Sequence, residues 1–188
     1  MALGQEPSER LKQTLFYAAR KFDFEVCQLK LPNGAVGDWA CILHPGGSMA
    51  VPVTAEGQFI LVRQYRFAMK GRLLEFPAGT VEKGEDPLGT IQREIQEETG
   101  YKAATWQALG QFPNAPGYSD EIIYAYLATD LEKLTEAPAL DEDEDIEVLV
   151  MSADALEQAI LTGVPIDAKS IAAFYMAKAF LSAPDSLL

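Results

Sequence analysis

An α/β (α+β) sandwich built on a mixed sheet is the fold this sequence predicts, and three observations predict it. Short β-rich runs separated by turn residues fill residues 24–79, one well-capped amphipathic helix follows, and further strand-like runs lead into two closing helices. The order strands, helix, strands, helices is that of a layered fold with helices packed on sheet.

The elements follow in order. "SERLKQTLFYAARKF" in the first 22 residues has helical character. From Phe24, "FEVCQLKL", a "PNG" turn and "WACIL" read as a hairpin, and "MAVPV", "FILVRQYR" and "LLEFPAG" follow as short strands. Asp86 and Pro87 start a helix as N-cap and first-turn proline, and Gly100 ends it about three turns later. Leu88, Ile91 and Ile95 share its apolar face. "TWQALGQF" and "EIIYAYLAT" are strand-like, separated by the turn-rich "PNAPGYSD", and an acidic run, "DEDEDIE", leads into the strand "IEVLVM". Ser152 caps the first closing helix, and Ile171, Phe174, Tyr175 and Ala179 form a stripe on the second.

Composition limits the function. The chain has 188 residues, 48% of them apolar, enough for a substantial core. A formal charge of −13 argues against a nucleic-acid backbone as partner, since such surfaces need clustered Lys and Arg. A small anionic substrate remains compatible if a metal supplies positive charge. No apolar run reaches membrane-spanning length and "MALGQEPSERLK" lacks a signal-peptide core, so the expected setting is a reducing cytoplasm with no membrane partner. Cys27 and Cys41 are expected as small core hydrophobes, and the single His44 excludes a multi-histidine zinc site within one chain.

The helix at 87–99 carries the chemistry. Glu94, Glu97 and Glu98 crowd like charges at the pole of the helix dipole that disfavours them, and Arg93 is the only cation on the helix. A cation must offset that arrangement, and Mg²⁺ characteristically joins carboxylates to substrate phosphates.

"GTVEKGEDPLGTIQREIQEETGY", residues 79–101, resembles the Nudix box. Gly79, Glu85, Arg93, Glu94, Ile95, Glu97, Glu98 and Gly100 occupy its specified positions, and Tyr101 departs from the final aliphatic one. The resemblance implies a Nudix α/β/α sandwich that hydrolyses a nucleoside diphosphate linked to another moiety. Glu94, Glu97 and Glu98 would be metal ligands, joined by the Ala78 main-chain carbonyl. Glu85 and Arg93 would hold loop and helix together, and Gly79 would let the backbone turn tightly beside the pyrophosphate. The implied cofactor is Mg²⁺, with Mn²⁺ as a substitute.

Beyond the box, "RQYRFAMKGRLLEFPAGTVEKGEDP" and "GYKAATWQALGQFPNAPGYSDEIIYAYLATDL" resemble the ADP-ribose pyrophosphatase branch. Pro116 fits a proline marking that branch, whereas Tyr118 lies near a tyrosine of dinucleoside polyphosphate hydrolases. Arg66 would bind a phosphate or the terminal ribose, or be a surface ion pair. Glu75 would reach the metals or a ribose hydroxyl, or else need a buried partner. Trp39 would stack on adenine or be a core tryptophan. Within "DEDEDIE" the resemblance implies a general base over the metals, at Glu142 or, failing that, Glu144; Ile146, where a calcium loop requires glycine, excludes an EF-hand.

The implied organisation is a strand segment for dimerisation at 1–50 and a Nudix hydrolase domain at 51–188. The expected substrate is ADP-ribose, with GDP-mannose, ADP-glucose or flavin dinucleotide as alternatives. A non-catalytic Nudix sensor is the competing class, disfavoured by the complete set of box acids.

Overall fold

The computed structural model describes residues 6–136 and 145–182, arranged in two compact units. Residues up to Pro45, with Pro113–Glu121, make the first; Gly46–Phe112 and Ile122 onward make the second.

In the first unit β1 (Glu9–Ala18), β2 (Asp23–Lys30) and β3 (Val36–Leu43) form an antiparallel sheet in that order. The "PNG" turn closes the β2–β3 hairpin, with Gly34 at φ 85°, where a side chain would be strained. The 113–121 turn docks on the end of β3, where Ile42 N–H donates to the Tyr118 carbonyl at 2.8 Å. Cys27 is buried and Cys41 half-buried, both as free thiols, and burial pushes both pKa values up.

The helical character expected of the first 22 residues is overturned, for β1 is a strand. Leu11 and Leu15, four apart, imitate a helical stripe, yet both are exposed. Arg10 and Gln13 instead serve the buried carboxylate of Glu25 on β2: Arg10 pairs with it, and Gln13 Nε2 donates at 3.1 Å. Register shifts between Arg10 and Lys12 and between Gln13 and Leu15 accommodate both contacts.

The second unit comprises β4 (Gly47–Pro52), β5 (Phe59–Arg66), β6 (Gly71–Glu75), β7 (Ala78–Thr80), α1 (Pro87–Thr99), β8 (Tyr101–Pro113, whose last residue falls in the first unit), β9 (Ile122–Lys133), β10 (Ile146–Met151), α2 (Ala153–Leu161) and α3 (Ala168–Ser182). One sheet has the order β7-β4-β9-β8 and is mixed, β4 running antiparallel to β7 and parallel to β9. The other, β10-β5-β6, is antiparallel.

Strand alternation sorts the core. Met49 and Val51 of β4 join Ile123, Ala125 and Leu127 of β9, Phe59 and Leu61 of β5, Leu156 of α2 and Phe174 of α3 in the main cluster. Ala50 and Ala128 meet Ile91 and Ile95 of α1 in a second cluster. The β4–β9 sheet thus carries α1 on one face and the α2–α3 cluster on the other, which is the expected layered α/β/α arrangement. Phe174 packs edge-on against Phe59 with ring centroids 5.3 Å apart.

The expected caps are present. Asp86 Oδ1 accepts from Leu88 N–H and Gly89 N–H at 3.0 Å each, Gly100 takes the left-handed conformation at φ 71°, and Ser152 caps α2. The stripe expected on α3 needs correction: Phe174 is buried, but Tyr175 and Ala179 are exposed. The buried face is Ser170, Ala173, Phe174 and Ala177, whose small members let the helix approach β4 and β9 closely.

Candidate active site

The acidic helix is positioned by its apolar stripe. With Ile91 and Ile95 fully buried, Glu98, three and seven residues further on, is drawn to the same side and left 5% exposed. Its Oε2 accepts from Ala78 N–H of β7 at 3.1 Å, tying the helix to the strand before the box. Ser48 Oγ of β4 donates to the Pro87 carbonyl at 2.6 Å and fixes the other end of the helix.

Glu94 packs on Gly79 so closely that a Cβ built there would lie 2.1 Å from Glu94 Oε1. That corrects the reason expected for this glycine. Gly79 is paired with Ser48 in strand β7 and is not among the positive-φ residues; what it supplies is room for a carboxylate rather than a tight turn.

Arg93 gathers the acids around it. Its Nη1 lies 2.9 Å from Glu94 Oε1 and 2.8 Å from Glu97 Oε2, and its Nη2 lies 3.5 Å from Glu85 Oε2. Burial opposes the arginine's charge, but Glu94, Glu97 and Glu85 outweigh it and hold its pKa above the ordinary value. Glu85 also accepts from Thr90 Oγ1 at 2.8 Å, the main cause of its lowered pKa. Glu85 of the loop and Arg93 of the helix are thus in contact.

Among the described residues no three carboxylates converge on a single cation position, and Arg93 engages Glu94 and Glu97. The donor chemistry nonetheless fits a hard divalent ion. Glu94, Glu97, Glu98 and the Ala78 carbonyl offer only oxygen, on a helix end whose excess negative charge one guanidinium must serve. The space left by the missing side chain of Gly79 is taken by the Glu94 side chain.

Arg66 and Glu75 come together. Arg66 Nε and Nη2 donate to the two Glu75 oxygens at 2.7 Å each, so Glu75 has found a buried partner and Arg66 an ion pair. Lys169 Nζ donates to Glu75 Oε2 at 2.8 Å and also pairs with Asp167. Burial works against the Glu75 carboxylate, but Arg66 and Lys169 prevail and draw its pKa down to about 2. Neither Lys169 nor Asp167 stands out in the sequence. The available signal was the "DAKS" start of α3, where Asp167 Oδ1 accepts from Ser170 N–H at 3.0 Å as an N-cap.

Trp39 and Pro116 belong to the first unit. Trp39 is half-buried with its ring over Gly37, where a Cβ would come within 3.2 Å of it; Pro116 and Tyr118 are exposed in the 113–121 turn. Glu142 and Glu144 lie outside the described residues.

The box geometry and the layered fold define a class, and comparison with known proteins agrees: the NUDIX domain family matches residues 44–174, and the chain belongs to that family. It is 40% identical over 142 residues to the ADP-ribose pyrophosphatase of Bacillus subtilis (strain 168), covering 75% of this chain and 77% of that one. It is 36% identical over 163 residues to the methanol dehydrogenase activator of Bacillus methanolicus, covering 87% and 88%. The crystal structure of an ADP compounds hydrolase shares the fold, with a TM-score of 0.81 over 99% of this chain and 100% of that one at 22% identity.

Proposed function

We propose that this protein is a Mg²⁺-dependent pyrophosphatase that cleaves ADP-ribose, or a closely related nucleoside diphosphate sugar, to AMP and the sugar phosphate. The observation that carries this reading is the complete set of box acids, Glu94, Glu97 and Glu98, gathered at the end of α1 against Gly79 and Ala78. The relatedness to the Bacillus subtilis ADP-ribose pyrophosphatase supports the substrate.

Mg²⁺, with Mn²⁺ as a substitute, would be held by Glu94, Glu97, Glu98 and the Ala78 carbonyl and would supply neutralisation of the diphosphate and a more acidic water. The chain's own residues do the rest. Arg93 and Glu85 keep the helix end and its loop in register. Arg66 binds a phosphate through its guanidinium fork. Glu142, or Glu144 in its place, takes the proton of the attacking water. Trp39 stacks on the adenine, and Pro116 shapes the turn beside the sugar.

Residues 1–50 serve dimerisation and 51–188 hydrolysis. β1 supports that division, being a ten-residue exposed edge strand that carries Leu11, Leu15, Phe16 and Tyr17. No helix among the described residues is long and apolar enough to cross a membrane, and the setting proposed is the cytoplasm.

The test is a panel of ADP-ribose, ADP-glucose, GDP-mannose and flavin dinucleotide with Mg²⁺, the products identified by mass. AMP and ribose 5-phosphate from ADP-ribose are the expected outcome, and turnover of none of the four would sink the proposal. A second function, stimulation of a dehydrogenase, is favoured by the relative from Bacillus methanolicus, which this chain matches over most of both lengths. Adding the protein to a methanol dehydrogenase assay tests it, an unchanged rate counting against it.

A further inference from the structure

Four charged side chains meet where β5, β6 and the start of α3 come together: Arg66, Glu75, Lys169 and Asp167. The cluster is graded from solvent to interior. The side chain of Arg66 is 41% exposed, that of Lys169 13% and that of Glu75 2%. Both cations share one carboxylate oxygen, Glu75 Oε2, which accepts from Arg66 Nη2 and from Lys169 Nζ. Arg66 commits Nε and one Nη2 hydrogen to Glu75, and its other edge lies outside that pair.

Lys169 lies on α3, a helix capped by Asp167 and anchored by its buried small residues, and its ammonium pairs with Glu75 and Asp167. A single arginine would satisfy Glu75 electrostatically, yet the cluster carries two cations. The second matters when the first must leave. An arginine that gives up its Nη2 bond for an anionic substrate would leave Oε2 of a buried carboxylate short of a donor, and under-compensating a buried charge is strongly unfavourable. With Lys169 in place, Oε2 keeps a donor, and Arg66 can pivot on its Nε–Oε1 bond.

We infer that Lys169 is a positioning residue for substrate binding: it holds Glu75 so that Arg66 can turn its guanidinium edge from that carboxylate to a phosphate of the substrate. The inference rests on Arg66 as the phosphate anchor of the proposed hydrolase. Asp167 sets how much of the lysine's charge Glu75 receives, because Lys169 pairs with both acids.

The experiment is steady-state kinetics on ADP-ribose with Mg²⁺, with thermal melting alongside, for wild type, Arg66→Ala, Lys169→Gln, Lys169→Arg, Asp167→Asn and the double variant Arg66→Ala/Lys169→Gln. Lys169→Gln should raise KM roughly tenfold, the scale of one charge-assisted hydrogen bond, and change kcat far less, with Lys169→Arg restoring most of the loss. In the Arg66→Ala background the same substitution should add nothing to KM, because residues acting through one another are not additive. Asp167→Asn keeps the Oδ1 cap and releases Lys169 to Glu75, so KM should fall, by about twofold on the scale of a weak charge term. Equal rises in KM on both backgrounds would mean a merely structural lysine and overturn the inference. So would a normal KM for Lys169→Gln beside a raised one for Arg66→Ala, a result that leaves the hydrolase itself standing. If Lys169→Gln does not fold, the sign of the Asp167→Asn effect decides, a raised KM overturning the inference. A normal KM for Arg66→Ala would remove the phosphate anchor and the inference with it, and no turnover by wild type would remove the proposed function as well.

Discussion

At the scale of single residues, two neighbours in the box fail in different ways. Glu98 is buried and accepts one backbone N–H, a bond that a glutamine oxygen can still accept. Glu98→Gln should therefore keep its fold and lose at least about 10²-fold in kcat, as removal of a preorganised electrostatic group usually does. Circular dichroism with single-turnover kinetics checks both halves, and kcat above about a tenth of wild type would refute the assignment. Gly79→Ala instead puts a methyl group where the Glu94 side chain lies. The obstructing atoms are Cγ, Cδ and Oε1 of Glu94, so the whole side chain must swing away from Arg93, and activity should fall sharply with only a modest loss of melting temperature. A large loss of stability with normal activity per folded molecule would contradict this. Glu75 gives a pH signature: its folded pKa is depressed from 4.5 to about 2, so its contribution to stability is present above about 4.5 and is lost as pH falls toward about 2. Acid titration of metal-free protein should show Glu75→Gln with a shallower fall over that window than wild type, and parallel curves would show that the carboxylate is not held by Arg66 and Lys169.

At the scale of elements, what could be read from sequence depended on how far apart the interacting residues lie. The helix at 87–99 depends on Asp86, Pro87 and Gly100, all within the element, and it stands where its caps place it. The hairpin about Gly34 is equally local. β1 is the counter-example, since it is a strand by pairing with β2, where Arg10 also meets Glu25, 15 residues further on. The Glu75–Lys169 pair spans 94 residues, and no periodicity within α3 announces it. The box acids were visible because family spacing fixes them on one helix, whereas the partners of Arg66 depend on how β6 and α3 meet. β1 also carries a prediction. Ten exposed residues on a sheet edge, four of them large and apolar, are a surface that a second copy of the chain would cover. Light scattering at micromolar concentration should give a dimer mass for wild type and a monomer mass for Leu15→Glu/Phe16→Glu; a monomeric wild type with full activity would remove dimerisation from the proposal.

For the whole molecule the governing quantity is charge. A net −13 over 188 residues makes the folded chain repel itself, and the acidic end of α1 concentrates part of that repulsion on a helix pole that already disfavours it. Arg93 answers part of both problems by engaging Glu85, Glu94 and Glu97 at once, which holds the acids near one another without converging them on a single point. A divalent ion bound there should stabilise the native state by mass action, because the unfolded chain holds no such arrangement of oxygens. Any salt would also stabilise so acidic a protein by screening, so the informative comparison is between MgCl₂ and NaCl at equal ionic strength. We expect Mg²⁺ to raise the melting temperature further than NaCl, chelation to reverse the difference, and Glu94→Gln/Glu97→Gln to abolish it while leaving the NaCl response intact. The double variant removes two of the three acids around Arg93, so its metal-free melting temperature also reports whether those ion pairs or the repulsion between the acids weighed more. Equal responses of wild type to the two salts would mean that the −13 charge is screened diffusely and that the acids of α1 form no specific cation site.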